Sequence, residues 1–441
     1  MRLMGWAAAG ALLWACGAQG ATVTVAFEGV RSDQGNVLAS LCDDPKAFMK
    51  SCVGRPGMAK AARGETVVTF TDVAPGRYAV QAFHDENGDF RPEVPPEGYA
   101  YGNDAGYPPS FEAASVQIAG DVRIKLRMNY IGGVGTAPAG GSQGVPAPAG
   151  VSRIDVRQDG LYGELYLPAS GGPRRPAIVL MGGSEGGLDI ISGMAADFAS
   201  QGYAALALAY WREPGLPQAL ELVPLEYFDK AVAWLKARPE VDPKAIGAIG
   251  WSRGSEAALL LASRNPDVHA VVAVAPSGIV WQGIDYSNGS SQGAWTVGGK
   301  PLAYATPVGA LYKADSMRDM FAAAMPEVQS HPETEIPIEK INGPVLFLSG
   351  GDDHLWPSRL MAERMMARLK ANRFGYSYAH LTYEGAGHVV FAGAPDGAMA
   401  RAMGEPSAML GGSAEADAKA WADDWPKVLA FYGKALKGDA R

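Results

Sequence analysis

Beyond residue 151 the chain alternates two kinds of apolar pattern, and that rhythm limits the fold more than any other feature. Strand-like apolar runs at 177–181, 203–209, 245–250, 269–275, 345–349 and 376–383 are separated by helix-like runs near 190–200, 225–237, 255–263, 358–369 and 416–436. A strand covered on both faces reads as a near-continuous apolar run, because helices shield each side of a parallel sheet. Strand and helix in turn therefore predict a mostly parallel sheet between two helical layers.

A candidate nucleophile lies within that rhythm. Gly-x-Ser-x-Gly occurs four times, centred on Ser142, Ser184, Ser252 and Ser291, in a chain where glycine supplies 56 of 441 residues, so the pentapeptide alone carries little weight. Context separates the copies. Ser142 sits in Gly-, Pro- and Ala-rich sequence with no strand on either side, and Ser291 in a polar turn cluster with no apolar helix after it. Ser184 follows the first strong strand. Only Gly250-Trp-Ser-Arg-Gly254 stands between a strand-like run and a helix-like run. That arrangement is a nucleophile elbow, in which flanking glycines permit a turn tight enough to expose the serine hydroxyl. With the elbow on a central strand, the expected fold class is α/β, an α/β-hydrolase fold.

A serine hydroxyl needs a base to take its proton, and imidazole serves when a carboxylate fixes its tautomer. His388, in Glu384-Gly-Ala-Gly-His388, follows the last strand in a glycine-bearing loop, at the strand ends where ligands meet an α/β sheet. His380 falls inside a strand and reads as a packing or edge residue; His269 and His331 read as structural, and His354 as structural or lining the pocket. Gly350-Gly-Asp-Asp-His354 supplies a carboxylate at a strand end, from either Asp352 or Asp353. Nucleophile, acid and base then follow the chain order of this fold. The developing oxyanion needs preorganised N–H donors. These are expected from the backbone of Arg253 and, in the loop Met181-Gly-Gly-Ser-Glu-Gly-Gly187, from that of Ser184. The side chain of Glu185 in that loop reads as solvated. Such chemistry needs no metal or other cofactor.

Several stretches together carry a resemblance: Leu161-Tyr-Gly-Glu-Leu-Tyr-Leu-Pro168, the 181–187 loop, Leu206-Ala-Leu-Ala-Tyr-Trp211, Pro224-Leu-Glu-Tyr-Phe228, Gly250-Trp-Ser-Arg-Gly-Ser-Glu256, residues 336–358 and Gly385-Ala-Gly-His388. Over nearly all of 151–437 the chain resembles the C-terminal catalytic domain of acyl-CoA thioesterases and bile acid-CoA:amino acid N-acyltransferases. More distantly it is similar to dienelactone hydrolases. The resemblance implies that the second aspartate, Asp353, is the acid. It also implies hydrolysis, since the acyltransferases tend to carry cysteine where Ser252 stands, and a small-molecule acyl ester or thioester as substrate.

The N-terminal part departs from that family. Residues 1–20, with Arg2, an apolar stretch and small residues at 18–20, read as a secretory signal peptide cut near Ala21 and too short to span a membrane, so a periplasmic or extracellular protein is expected. Cys16 weakly resembles a lipoprotein attachment site. Once the leader is removed, Cys42 and Cys52 remain, expected as a disulfide, with two buried thiols as the alternative. Residues 21–130 carry short strands near 22–27, 36–41, 66–70, 77–83 and 122–128, which predict a small β-sandwich. Val73-Ala-Pro-Gly-Arg-Tyr78 and its continuation, with Tyr107-Pro-Pro-Ser-Phe-Glu112, resemble the secreted bacterial family DUF2141, which implies a fold and no chemistry. Asp85, Asn87 and Asp89, with Glu93, imitate a calcium loop, but Phe90 stands where that loop needs glycine, so a polar turn is expected, with His84 structural. Residues 131–150 read as linker and 151–438 as the catalytic domain.

A net charge of -8 without a basic cluster argues against nucleic acid or an anionic membrane as partner. Oligomeric state is not encoded legibly. The leading expectation is an exported serine hydrolase. Because coenzyme A is cytoplasmic, an exported carboxylesterase or dienelactone-hydrolase-like enzyme not using it stands as an alternative, beside acyl transfer to another acceptor and a catalytically silent envelope-binding protein. Residues 281–339, rich in Gly, Pro, Tyr and Met, are expected to wall the pocket.

Overall fold

The computed structural model describes residues 20–48, 54–86, 88, 97–105, 109–130, 147–169, 172–285, 290–307, 317–403 and 410–438. Residues 1–19 of the expected leader with Cys16, and Cys52, Asn87, Asp89, Glu93, Ser142 and linker residues 131–146, lie outside them. The chain divides into two compact units, the second carrying residues 129–441.

Eight strands of that second unit form one sheet: β1 (Val151–Val156), β2 (Tyr162–Pro168), β3 (Arg175–Met181), β4 (Ala204–Ala209), β5 (Val241–Trp251), β6 (Val268–Val274), β7 (Val345–Gly350) and β8 (Tyr378–Tyr383). Their order is β1-β2-β4-β3-β5-β6-β7-β8. β2 runs antiparallel to β1 and β4, and the remaining neighbours are parallel. The helices are α1 (Asp189–Ser200), α2 (Glu226–Lys236), α3 (Arg253–Arg264), α4 (Met317–Ser330), α5 (Ser358–Ala371), α6 (Ala398–Met403) and α7 (Ala414–Tyr432).

Alternate residues along each strand feed two cores. Val179, Leu206, Ala248, Val271 and Phe347 pack with Phe228 of α2, Leu259 of α3 and Met365 of α5. Ile178, Leu180, Ala205, Val272 and Leu348 pack with Met194 and Phe198 of α1 and Trp425 and Tyr432 of α7. A sheet shielded on both faces in this strand order is an α/β-hydrolase fold.

Two departures from the sequence reading have physical causes. β1 and β2 did not stand out as strands: β1 is half exposed, and β2 interrupts its apolar run with Glu164. That carboxylate is 1% exposed yet satisfied, accepting the Tyr166 and Ser192 hydroxyls at 2.7 Å each, with Arg153 at 3.4 Å. Helix α4 was missed because Pro326 stands inside it, where proline ordinarily breaks a helix.

In the first unit Ala21–Val30 pairs antiparallel with Gly64–Val73 and parallel with Val122–Arg127. A second sheet joins Asn36–Cys42 to Arg55–Lys60 on one side and to Gly76–Asp85 on the other. Cys42 is disulfide-bonded. The Asp85 carboxylate accepts the Gly88 N–H at 2.8 Å, an Asx-type turn, and His84 is buried against the Gln34 carbonyl at 2.8 Å.

Phe198 ties α1 to α7, its ring 5.0 Å from Trp425, 5.9 Å from Tyr432 and 6.1 Å from Tyr203. Phe198→Ala is expected to lower the unfolding free energy by about 3–5 kcal/mol, the usual cost of an aromatic deletion in a core, measured by urea titration.

Candidate active site

The elbow is built by backbone crowding. A Cβ on Gly250 would stand 1.9 Å from the Gly254 carbonyl oxygen, and one on Gly254 would stand 2.3 Å from the carbonyl oxygens of both Met181 and Gly182. No side chain fits at either place. Between them Ser252 is held at φ 56°, ψ -123°, outside the ordinary range for a residue with a Cβ. Such a conformation costs roughly 1–3 kcal/mol and persists only where surroundings enforce it. Here the Ser252 N–H donates to the Val274 carbonyl at 2.9 Å, and the Ser252 carbonyl accepts from Ser255 N–H at 2.9 Å. Arg253 is the first residue of α3, where N–H groups lack partners within the helix.

His388 is 1% exposed, and its Nδ1 faces the Asp353 carboxylate at 3.0 and 3.1 Å. Asp353 also accepts the N–H groups of Leu355 at 3.0 Å and Trp356 at 3.2 Å, and the Ser358 hydroxyl at 2.6 Å. Four donors thus fix its direction. Asp352 turns away: it meets His354 Nε2 at 2.9 Å and accepts the Gly412 N–H at 3.1 Å, half exposed. His388 Nε2 is buried without a hydrogen-bond partner. The ring lies between Trp251, centroid 5.7 Å away, and Trp356, centroid 5.9 Å away. Trp251 Nε1 donates to the His388 carbonyl at 3.2 Å, which ties the residue before Ser252 to the histidine loop.

α7 holds that loop from behind. Asp417 accepts the Gly387 N–H at 2.8 Å and Trp421 Nε1 donates to the Val389 carbonyl at 2.6 Å, one helical turn apart and on either side of His388. The His388 N–H itself donates to the Leu410 carbonyl at 2.8 Å. No local sequence signal marks Asp417 or Trp421, since their partners are main-chain atoms.

Side chains of residues 210–212 fix the loop after β3. Tyr210 donates to the Gly182 carbonyl at 2.6 Å, Trp211 Nε1 to the Gly183 carbonyl at 3.3 Å and Arg212 Nη1 to the Glu185 carbonyl at 2.9 Å. A peptide unit is planar, so holding the Gly183 carbonyl also sets the direction of the Ser184 N–H. Gly183 is the loop residue pressed on the nucleophile, since a Cβ there would stand 2.9 Å from Ser252 Cβ. Ser291, by contrast, is exposed in a turn held by Glu221. His380 pairs with Ser349 Oγ at 2.7 Å on the edge strand β8, and His331 with Glu333 at 3.0 Å at the surface.

The reading of Glu185 as solvated is corrected by the structure. Its carboxylate folds back onto the loop: Oε1 accepts the Gly183 N–H at 2.7 Å, and a Cβ on Gly182 would stand 2.4 Å from Oε1. Part of the residue reaches solvent, but burial of the acid group pushes its pKa up to about 7, against the backbone N–H groups that favour the anion. Sequence gave no warning because a Glu among glycines ordinarily faces water.

A buried ion pair completes the surroundings. Arg253 Nε lies 2.6 Å from Glu256 Oε1, and the guanidinium donates to the carbonyls of Gln282 at 2.9 Å and Trp281 at 3.3 Å. Glu256 Oε2 accepts from Trp295 Nε1 at 3.0 Å and Trp281 N–H at 3.3 Å. The segment between β6 and β7, the expected pocket wall, is thereby moored to the nucleophile turn. Trp281 continues through Phe321 of α4, at 4.9 Å, to Trp356, at 5.7 Å, beside His388.

Residues 223–438 match the family model BAAT / acyl-CoA thioester hydrolase C terminal, residues 163–282 match the dienelactone hydrolase family, and residues 25–125 match DUF2141, a family of uncharacterized proteins conserved in bacteria. Among curated proteins, the peroxisomal succinyl-coenzyme A thioesterase of Mus musculus is 31% identical over 65% of this chain and 66% of its own length. Acyl-coenzyme A amino acid N-acyltransferase 2 of Rattus norvegicus and acyl-coenzyme A thioesterase 1 of Homo sapiens are each 32% identical over 66% of this chain and 67% of theirs. The chain thus spans about two thirds of the length of these relatives.

Among the described residues four carboxyls of this unit are pushed up chiefly by desolvation: Glu256, Glu185 to about 7, Asp417 to about 6 and Asp424 to about 7. Such groups ionise in the unfolded chain at lower pH than in the folded one, so their cost to stability is absent below about pH 4 and accumulates as pH rises to 7. Glu185→Gln is expected to leave the unfolding free energy unchanged at pH 4 and to raise it at pH 8 by an amount on the order of 2–3 kcal/mol. Paired thermal melts at the two pH values check this.

Proposed function

The chain belongs to the BAAT / acyl-CoA thioester hydrolase family, and on that premise we propose that it is a serine hydrolase cleaving an acyl thioester or carboxylic ester through an acyl-Ser252 intermediate. One observation carries the reading: a fully enclosed imidazole, His388, has its Nδ1 on the Asp353 carboxylate and its Nε2 buried without a partner, in a loop tied to the residue before Ser252.

His388 Nε2 takes the Ser252 Oγ proton as Oγ attacks the acyl carbon. Asp353 keeps Nδ1 protonated and stabilises the imidazolium. The N–H groups of Arg253 and Ser184 hold the oxyanion, the first through its place at a helix start and the second through the Trp211 contact. His388 then protonates the departing thiolate or alkoxide, and in the second half activates water against the acyl-enzyme. Ser252 Oγ makes no hydrogen bond to His388 Nε2 in the structure, and the mechanism requires the two to meet. Serine rather than cysteine at 252 favours water as the acyl acceptor. Residues 1–20 favour export, which places esters and thioesters without coenzyme A beside acyl-CoA among the substrates.

A fluorophosphonate probe is expected to label Ser252, located by peptide mass spectrometry, and Ser252→Ala to abolish both labelling and hydrolysis of p-nitrophenyl esters and acyl-CoAs of graded chain length. Folded protein that resists the probe, or a Ser252→Ala protein that retains turnover, overturns the proposal. Asp353→Asn is expected to lower kcat by about 10³–10⁴-fold while the protein stays folded, measured on whichever ester reacts fastest.

A further inference from the structure

The mechanism above leaves one buried acid next to the nucleophile without a task. Glu185 Oε2 and Ser252 Cβ each lie 2.9 Å from the point a Gly183 Cβ would occupy, so the carboxylate oxygen stands within twice that distance of Ser252 Cβ. Its other oxygen is fixed on the Gly183 N–H at 2.7 Å, so the side chain is held in this place. The charged and titratable groups facing it are His388, from the loop after β8, and Tyr210 and Arg212, from the end of β4. Arg212 directs Nη1 to the Glu185 carbonyl at 2.9 Å.

An acyl group attached to Ser252 therefore begins only several ångströms from this carboxylate. Resting on the reading of Ser252 as nucleophile, we propose that Glu185 makes the site charge-selective: it admits acyl groups that are neutral or cationic near the reacting carbonyl and rejects those that carry a carboxylate there. Two like charges this close repel, the more so where burial has taken one of them largely out of water. A cationic substituent gains the same interaction with opposite sign. Because burial pushes Glu185 up to about 7, the carboxylate is mostly neutral below that pH and charged above it. Discrimination is therefore weak in mild acid and strong in mild alkali.

The test compares p-nitrophenyl butyrate with p-nitrophenyl hemisuccinate, which stays anionic throughout, from pH 6 to 9, after subtracting the rate of the Ser252→Ala protein. The neutral ester is expected to exceed the anionic one in kcat/KM by about ten-fold or more at pH 8, and the ratio to fall as pH drops below 7. In Glu185→Gln the ratio is expected to be small and independent of pH. A ratio that Glu185→Gln leaves unchanged, or wild-type protein that hydrolyses both esters equally at pH 8, overturns the inference. The pH dependence of the wild-type ratio is a readout that needs no variant, so a flat wild-type ratio overturns it even if Glu185→Gln fails to fold. Fluorophosphonate labelling of Ser252 separates the two layers: labelled protein without charge selectivity refutes only the role of Glu185, whereas unlabelled, inactive protein removes the serine mechanism on which that role rests.

Discussion

The contact on which the site depends is one between main chains. α3 starts so close to the end of β3 that Gly254 touches the carbonyls of Met181 and Gly182, and Gly250 touches the carbonyl of Gly254. That crowding sets where the helix begins, and hence where Arg253 presents its N–H. It also forces Ser252 into positive φ, which lifts its side chain out of the strand. The same contact brings the 182–187 loop against Ser252. The serine turn, the helix start and the place of that loop are thus three consequences of one steric constraint.

His388 is held by a different principle. His388 sits on a loop, and loops drift unless their backbone is tied down. Here α7 grips the peptide units on both sides of the histidine, Asp353 is itself held by three donors besides the imidazole, and two indoles enclose the ring. An imidazole in such a setting has little freedom except the direction of its proton. That is what a general base beside a serine requires.

The scaffold and the candidate site residues are more legible in the sequence than the contacts that support them. Continuous apolar runs announced the parallel strands because those strands are buried on both faces, and glycines at 250 and 254 announced the elbow because only glycine fits there. The contacts that orient the site were not legible. Tyr210, Trp211, Asp417 and Trp421 act on backbone atoms distant in sequence, and backbone atoms leave no residue-type signature at their partner's position. Glu185 was misread for a related reason: its environment comes from a loop folding back on itself, which composition does not reveal. The Asp352 and Asp353 pair could not be resolved by spacing either, since adjacent side chains at a strand end differ only in direction. The resemblance to a family chose Asp353, and in the structure it is Asp353 that meets His388.

The Arg253–Glu256 pair has a consequence for how such a protein can diversify. Arg253 reaches the pocket wall only through the carbonyls of residues 281 and 282, atoms that every amino acid supplies. The identity of residue 282 is therefore free of that anchorage, while Trp281 stays constrained by its packing. A segment moored by its backbone can exchange side chains one at a time without disturbing the contact that joins it to α3.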